Sequence, residues 1–194
     1  RYCLLSRGLG DVYKRQFRDI AERLRNEARL YHLAHIDPLT QLPNRSLLRA
    51  RLEDALLDES RVSIMMIDLD GFKDVNDTLG HPAGDAVLCA AAKRIQSCVR
   101  TSDTVARMGG DEFAVLLRRL PDPARAGAIA DAIIDKMGQI IMIDDEPVHI
   151  SASVGIAMFP KDGATAQELL SGADLALYDA KSQGKQCRRF FTQD

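Results

Sequence analysis

Four carboxylates stand where one apolar run ends and another begins. Asp68 and Asp70 close the run VSIMMIDLD (62–70), and Asp111 and Glu112 follow Gly109 and Gly110 just ahead of FAVLL (113–117). Acids crowded at a turn repel one another. A divalent cation reverses that: Mg²⁺ takes hard oxygen ligands, needs only one or two carboxylates, and leaves room for phosphate oxygens. Two such ions close together support attack of a hydroxyl on a phosphoryl group. The paired glycines suit such a site, since they permit the turn and let main chain approach a bulky nucleotide. Taken alone, the hairpin reads equally well as a solvated acidic turn. Only if the strand end and the hairpin lie side by side does the metal reading gain weight.

The elements that would bring them together can be read from the pattern. The run at 62–70 is almost continuously apolar, as a strand buried on both sides would be. Asn44 can cap a helix from Arg45 to about Leu57. Helices are expected at Phe72 to Leu79 and Ala83 to Arg100, parted by Gly80-His81-Pro82, in which His81 is a structural residue. Strands at 104–108 and 112–118 make a β-hairpin around the acids. A helix over 123–138, one strand over VHISASVGIAM (148–158), a helix from Ala166 to Ser182 and an edge strand at RRFF (188–191) complete the chain. The order β-α-α-β-β-α-β-α-β predicts an α/β (α+β) sandwich of ferredoxin-like type: a central, mostly antiparallel sheet flanked by helices, here over one face.

At 194 residues the chain is long enough for one domain and an appendage. A net charge of −2 and 5% aromatic residues argue against a nucleic-acid binder. No apolar run approaches the roughly 20 residues of a membrane helix. Cys3, Cys89, Cys98 and Cys187 lack metal-ligand spacing, and Cys89 and Cys98 fall about 13 Å apart along one expected helix, too far to bridge. Reduced thiols imply a cytoplasmic domain.

The chain begins with Arg, which suggests a fragment. Residues 1–16 resemble a translated sequencing adapter, the alternative being a genuine linker. A helical stripe over 17–36, with Phe17, Ile20, Leu24, Leu30, Tyr31 and Ala34, reads as an amphipathic helix or as the end of a coiled coil. The globular domain is expected over 37–194.

Several long motifs stand in order: DPLTQLPNR (37–45), DLDGFKDVNDTLGHPAGDAVL (68–88), RMGGDEF (107–113), SVGIAMFP (153–160) and ADLALYDAKSQGK (173–185). From about Ala34 to Arg189 the chain resembles the GGDEF domain of diguanylate cyclases, which condense two GTP into cyclic di-GMP. The resemblance implies a fold related to polymerase palms and nucleotidyl cyclases. It implies Asp68, Asp111 and the carbonyl of Leu69 as ligands of two Mg²⁺ ions, for which Mn²⁺ can substitute. It makes Asp111 the base for the 3′-hydroxyl, with Glu112 and Lys73 in supporting catalytic roles. Phe72, Asn76, Asp85, Gly109, Gly110, Lys181 and Lys185 fall at substrate-binding positions. Asn76 and Asp85 would read guanine, whose N1–H and N2–H₂ offer a carboxylate two adjacent donors that adenine lacks. Lys181 and Lys185 would hold the β- and γ-phosphates; without the resemblance they are two solvated lysines.

Arg100-Thr101-Ser102-Asp103 stands at the offset of the family's inhibitory RxxD site, where Arg can donate to O6 and N7 of guanine. The plain alternative is an i,i+3 ion pair. The second arginine such a site needs is not visible in the sequence. Gln186 replaces the usual Asn after Gly-Lys, which puts the geometry of the last turn in question. Because one domain offers one GTP site, the resemblance implies a homodimer, joined through the domain face and the N-terminal helix, with no nucleic acid or membrane among its partners. The alternative is a catalytically inactive domain acting as a receptor for cyclic di-GMP or GTP.

Overall fold

The computed structural model describes residues 20, 22–23, 25–26, 29–58, 61–120 and 122–192. The expected tail at 1–16 lies outside them, as do Phe17 and Leu24 of the stripe. Residues 29–35 are helical, and Leu30 and Tyr31 are exposed.

Seven strands and five further helices follow. They are α1 (Arg45–Leu57), β1 (Ser63–Asp70), α2 (Phe72–Leu79), α3 (His81–Gln96), β2 (Thr104–Gly109) and β3 (Glu112–Leu117). Then come α4 (Pro123–Met137), β4 (Ile141–Ile143), β5 (Glu146–Val148), β6 (Ser151–Met158), α5 (Ala166–Ser182) and β7 (Arg188–Phe190). Five strands form one sheet in the order β2-β3-β1-β6-β7. β1 lies at its centre, antiparallel to both β3 and β6, and β7 adds a parallel edge.

All eight residues of β1 are buried, which corrects the expectation of helices over one face. Met65, Ile67 and Leu69 pack against α2, α3 and α4, whereas Ile64 and Met66 pack against α1 and α5. A strand with no polar face needs cover on both sides. The two layers meet the sheet with opposite alternate residues.

Local chemistry starts the helices as expected. Asn44 Oδ1 accepts from Leu47 N–H at 3.1 Å, and Thr165 with Glu168 makes a capping box at the head of α5. The helix expected from Ala83 to Arg100 instead spans His81–Gln96. Pro82 fits its first turn, where no N–H is required. Beyond Gln96 the chain turns, with Asp103 N–H donating to Arg100 O and Arg100 N–H donating to Asp103 Oδ2, both at 3.0 Å. The single strand expected over 148–158 is divided. Its start belongs to β5, paired with β4 through Asp144 and Asp145 at φ 47° and 68°. Positive φ at both central residues marks a primed two-residue turn, which Asp tolerates.

One close approach sets the height of α5 above the sheet. A Cβ on Gly155 of β6 would lie 2.8 Å from Leu177 Cα and closer still to Ala173 O and Leu177 N. The bare glycine lets the α5 backbone rest on the strand, which carries Asp174 and Lys181 toward the end of β1.

Candidate active site

The strand end and the hairpin turn lie side by side. In the β1–β3 ladder Asp68 stands opposite Glu112, and Leu69 N–H donates to Asp111 O at 3.3 Å. The turn depends on its glycines, with φ 139° at Gly109 and 53° at Gly110, a region side chains disfavour. A register shift between Arg107 and Gly109 re-aims the strand just before the acids.

Arg107 holds the turn from behind. Its Nη2 and Nε donate to Gly110 O at 2.8 and 3.1 Å, while Nη1 reaches both Asp37 oxygens at 3.2 and 3.3 Å. Burial tends to raise the Asp37 pKa, but hydrogen bonds from Thr40 and Arg107 more than offset it, and the carboxyl stays below its ordinary value. The turn that leaves the N-terminal helix is thereby tied to the acidic hairpin. Sequence reasoning passed over Asp37 and Arg107, because their pairing spans 70 residues.

The acids at this edge repel one another. Burial first, and then Asp68, raise the pKa of Asp111. Burial, then Asp174, Asp68 and Asp111, raise that of Glu112. Asp174, which the sequence reading also missed, is itself raised by burial and opposed by Arg45. Lys181 forms an ion pair among them, its Nζ 2.6 Å from Asp68 Oδ2. Among the described residues no three His, Cys, Asp or Glu side chains converge on one point. Two carboxylates with open coordination positions still fit Mg²⁺, which keeps water and phosphate ligands rather than a full protein cage.

Asp70 does not join this edge. It accepts from Ser153 Oγ at 2.9 Å, Ser151 Oγ at 3.1 Å and Gln186 N–H at 3.2 Å. Its lone pairs are spent on joining β1 to β6 and to the turn after α5. In that turn Lys185 and Gln186 take φ 62° and 48°, so Gln186 keeps the left-handed geometry that Asn adopts more readily.

The remaining candidates fall into three places. Phe72 is buried, so it can reach a ligand only through main chain, and Lys73 is exposed beside it on the first turn of α2. Asn76 on α2 and Asp85 on α3 flank the α2–α3 junction. Arg100 and Asp103 lie at the opposite end of β2 from the acids, some 17 Å away at about 3.3 Å per strand residue. There Arg51, Gln96, Arg100, Thr101, Asp103 and Thr104 line a cavity of about 250 Å³. Arg51 Nη1 donates to Thr104 Oγ1 at 3.1 Å. An arginine absent from the sequence reading thus stands beside Arg100, delivered by α1.

A family model described as "Diguanylate cyclase, GGDEF domain" matches residues 34–187. The chain is 48% identical over 166 residues to the bifunctional diguanylate cyclase/cyclic di-GMP phosphodiesterase MucR of Pseudomonas aeruginosa, covering 84% of this chain and 24% of that protein. It is 48% identical over 173 residues to the diguanylate cyclase TpbB of the same species, covering 86% and 40%. It therefore spans two fifths or less of the length of these relatives. A structure of TpbB comprising only the GGDEF domain superposes with a TM-score of 0.80 at 46% identity, covering 81% of this chain and 95% of that one. The coiled coil and GGDEF domain of DgcB from Caulobacter crescentus, in complex with c-di-GMP, superposes with a TM-score of 0.83 at 25% identity, covering 96% and 98%.

Proposed function

Since the chain belongs to the GGDEF family of diguanylate cyclases, we propose that it condenses two GTP molecules into cyclic di-GMP. The 3′-oxygen of one GTP attacks the α-phosphorus of the other, the bond to the β-phosphate breaks, and pyrophosphate leaves with the electron pair. The same step in the reverse sense closes the ring and releases a second pyrophosphate. What supports this reading is the convergence of Asp68, Asp111 and Lys181 at one end of β1.

Asp68 and Asp111, with the carbonyl of Leu69, would hold two Mg²⁺ ions, and Mn²⁺ suits the same oxygen donors. When bound, such ions polarise the phosphoryl group and neutralise charge on the leaving pyrophosphate. Asp111 accepts the 3′-hydroxyl proton, and Glu112 and Lys73 support it. Lys181 and Lys185 bind the β- and γ-phosphates, while Gly109, Gly110 and the main chain of Phe72 let the nucleotide lie close. Asn76 and Asp85 select guanine. Two copies must face each other across a twofold axis to bring two GTP sites together, and Leu30 and Tyr31, exposed on the N-terminal helix, are suited to joining them. A domain that consumes GTP belongs in the cytoplasm.

The test is incubation of purified protein with GTP and Mg²⁺, with products resolved by chromatography. Cyclic di-GMP and pyrophosphate are expected, with specific activity rising with protein concentration. No product at high concentration, or with the N-terminal helix fused to a strong dimeriser, would transfer the reading to a cyclic di-GMP or GTP receptor.

Arg100 and Asp103 form a product-binding site on this reading, and Arg51 supplies its second arginine. Each arginine that pairs with guanine is worth roughly 1–3 kcal/mol. Arg51→Ala and Arg100→Ala should each raise the cyclic di-GMP concentration needed for half-inhibition by about tenfold. Turnover in the absence of product should stay unchanged.

A further inference from the structure

A glycine inside a helix weakens it relative to alanine, so a buried one calls for a packing reason. Gly84 lies in the first turns of α3, is buried, and has no positive φ to explain it. The reason is on its neighbour. A Cβ at position 84 would lie 3.0 Å from Asn76 Cγ and nearer still to Asn76 Oδ1, with Phe72 Cζ at 3.3 Å. The Asn76 carboxamide therefore rests directly on the bare main chain of α3, one residue before Asp85.

We propose that Gly84 is a positioning residue for base recognition: its missing side chain lets the Asn76 carboxamide lie where it can act with Asp85 on a guanine. The inference rests on the reading that Asn76 binds guanine. A β-carbon at position 84 would lift the carboxamide off α3 and move its donor and acceptor from the place that the bare glycine leaves for them. The contact is with the functional end of Asn76, so selectivity suffers before the fold does. Phe72 offers only a ring edge at a distance that a small shift relieves.

The experiment measures binding of a GTP analogue with a methylene bridge between the α- and β-phosphates, which cannot lose pyrophosphate. The matching ATP analogue serves as reference. Parent, Asn76→Ala, Gly84→Ala and the double variant are titrated, and their thermal melting is recorded. Gly84→Ala should weaken the guanine analogue about tenfold, the scale of one lost hydrogen bond with its partner left unpaired. Binding of the adenine analogue should stay unchanged. In the Asn76→Ala background the same substitution should have no further effect, because the obstructing carboxamide is gone. General loosening of the fold would weaken both analogues and would add in both backgrounds, which overturns the inference. Parent-like guanine binding by Gly84→Ala, with Asn76→Ala impaired, also overturns it while leaving Asn76 as the reader. Parent-like binding by Asn76→Ala sinks the recognition reading itself, and this inference with it. Should Gly84→Ala fail to fold, the double variant must melt no lower than Asn76→Ala, or the carboxamide is not the obstacle.

Discussion

Asp111→Asn is expected to lower cyclic di-GMP formation by about a thousandfold or more while leaving the metal-free protein at least as stable. Metal-borne stabilisation of phosphoryl-transfer charge is worth several kcal/mol, and each 1.4 kcal/mol is tenfold in rate. Asparagine keeps the size and one oxygen but removes the charge that, on the proposed function, would bind Mg²⁺ and accept the hydroxyl proton. The stability half follows from electrostatics. Burial and Asp68 hold the Asp111 pKa above its ordinary value, so the folded state disfavours the carboxylate. For such an acid the folded form binds more protons than the unfolded one. Stability is lost as pH rises from the ordinary carboxylate range through the raised pKa, and Glu112 acts in the same sense. Asn removes that cost, as Mg²⁺ should when added to the parent. Product chromatography and thermal melts with and without Mg²⁺ check both halves. An Asp111→Asn protein that turns over at the parental rate would remove Asp111 from the chemistry. One that melts well below the metal-free parent would contradict the repulsion inferred at this edge.

Gly155→Ala should be the most damaging small substitution for the fold. The added methyl would meet backbone of α5, at Ala173 and Leu177, rather than the tip of a side chain that could swing away. Overpacking in cores costs typically 1–3 kcal/mol and more where nothing yields, so a loss of about 3 kcal/mol or more is expected. That is a large part of the 5–15 kcal/mol that holds a domain together. Gly138→Ala is the matched control: its Cβ would find nothing nearer than 3.7 Å, with φ at −67°. Urea unfolding of the two variants should differ accordingly, and equal midpoints would refute the contact. Whatever Gly155→Ala protein folds should bind GTP poorly, because a lifted α5 withdraws Lys181 from Asp68, its ion-pair partner at 2.6 Å.

Much of the site was legible because it is local. The β1 run, the Gly109-Gly110 turn, the Asn44 cap and the acids following the glycines are each defined within a few residues, where periodicity and turn chemistry act. The small β4–β5 hairpin was local too, with Asp144-Asp145 between the apolar Ile141-Met142-Ile143 and Glu146-Pro147-Val148, but its strands are only three residues long and leave too brief an alternation.

Other features existed only once the chain had folded. β1 advertised burial on both sides, yet which helices cover which face was decided by packing. Asp68 and Asp70 share a motif and a strand face, and nothing in their spacing separates them. Ser153 captures one from a neighbouring strand, and Lys181 and the hairpin acids surround the other. Arg51 reaches Thr104 across 53 residues of sequence and Arg107 reaches Asp37 across 70. The sequence by itself determined which elements form and which chemistry they carry, because hydrophobic period, caps and turn residues work over a few bonds. Tertiary structure alone decided which acid is left to act and which glycine makes room, because distances between elements depend on how whole faces pack.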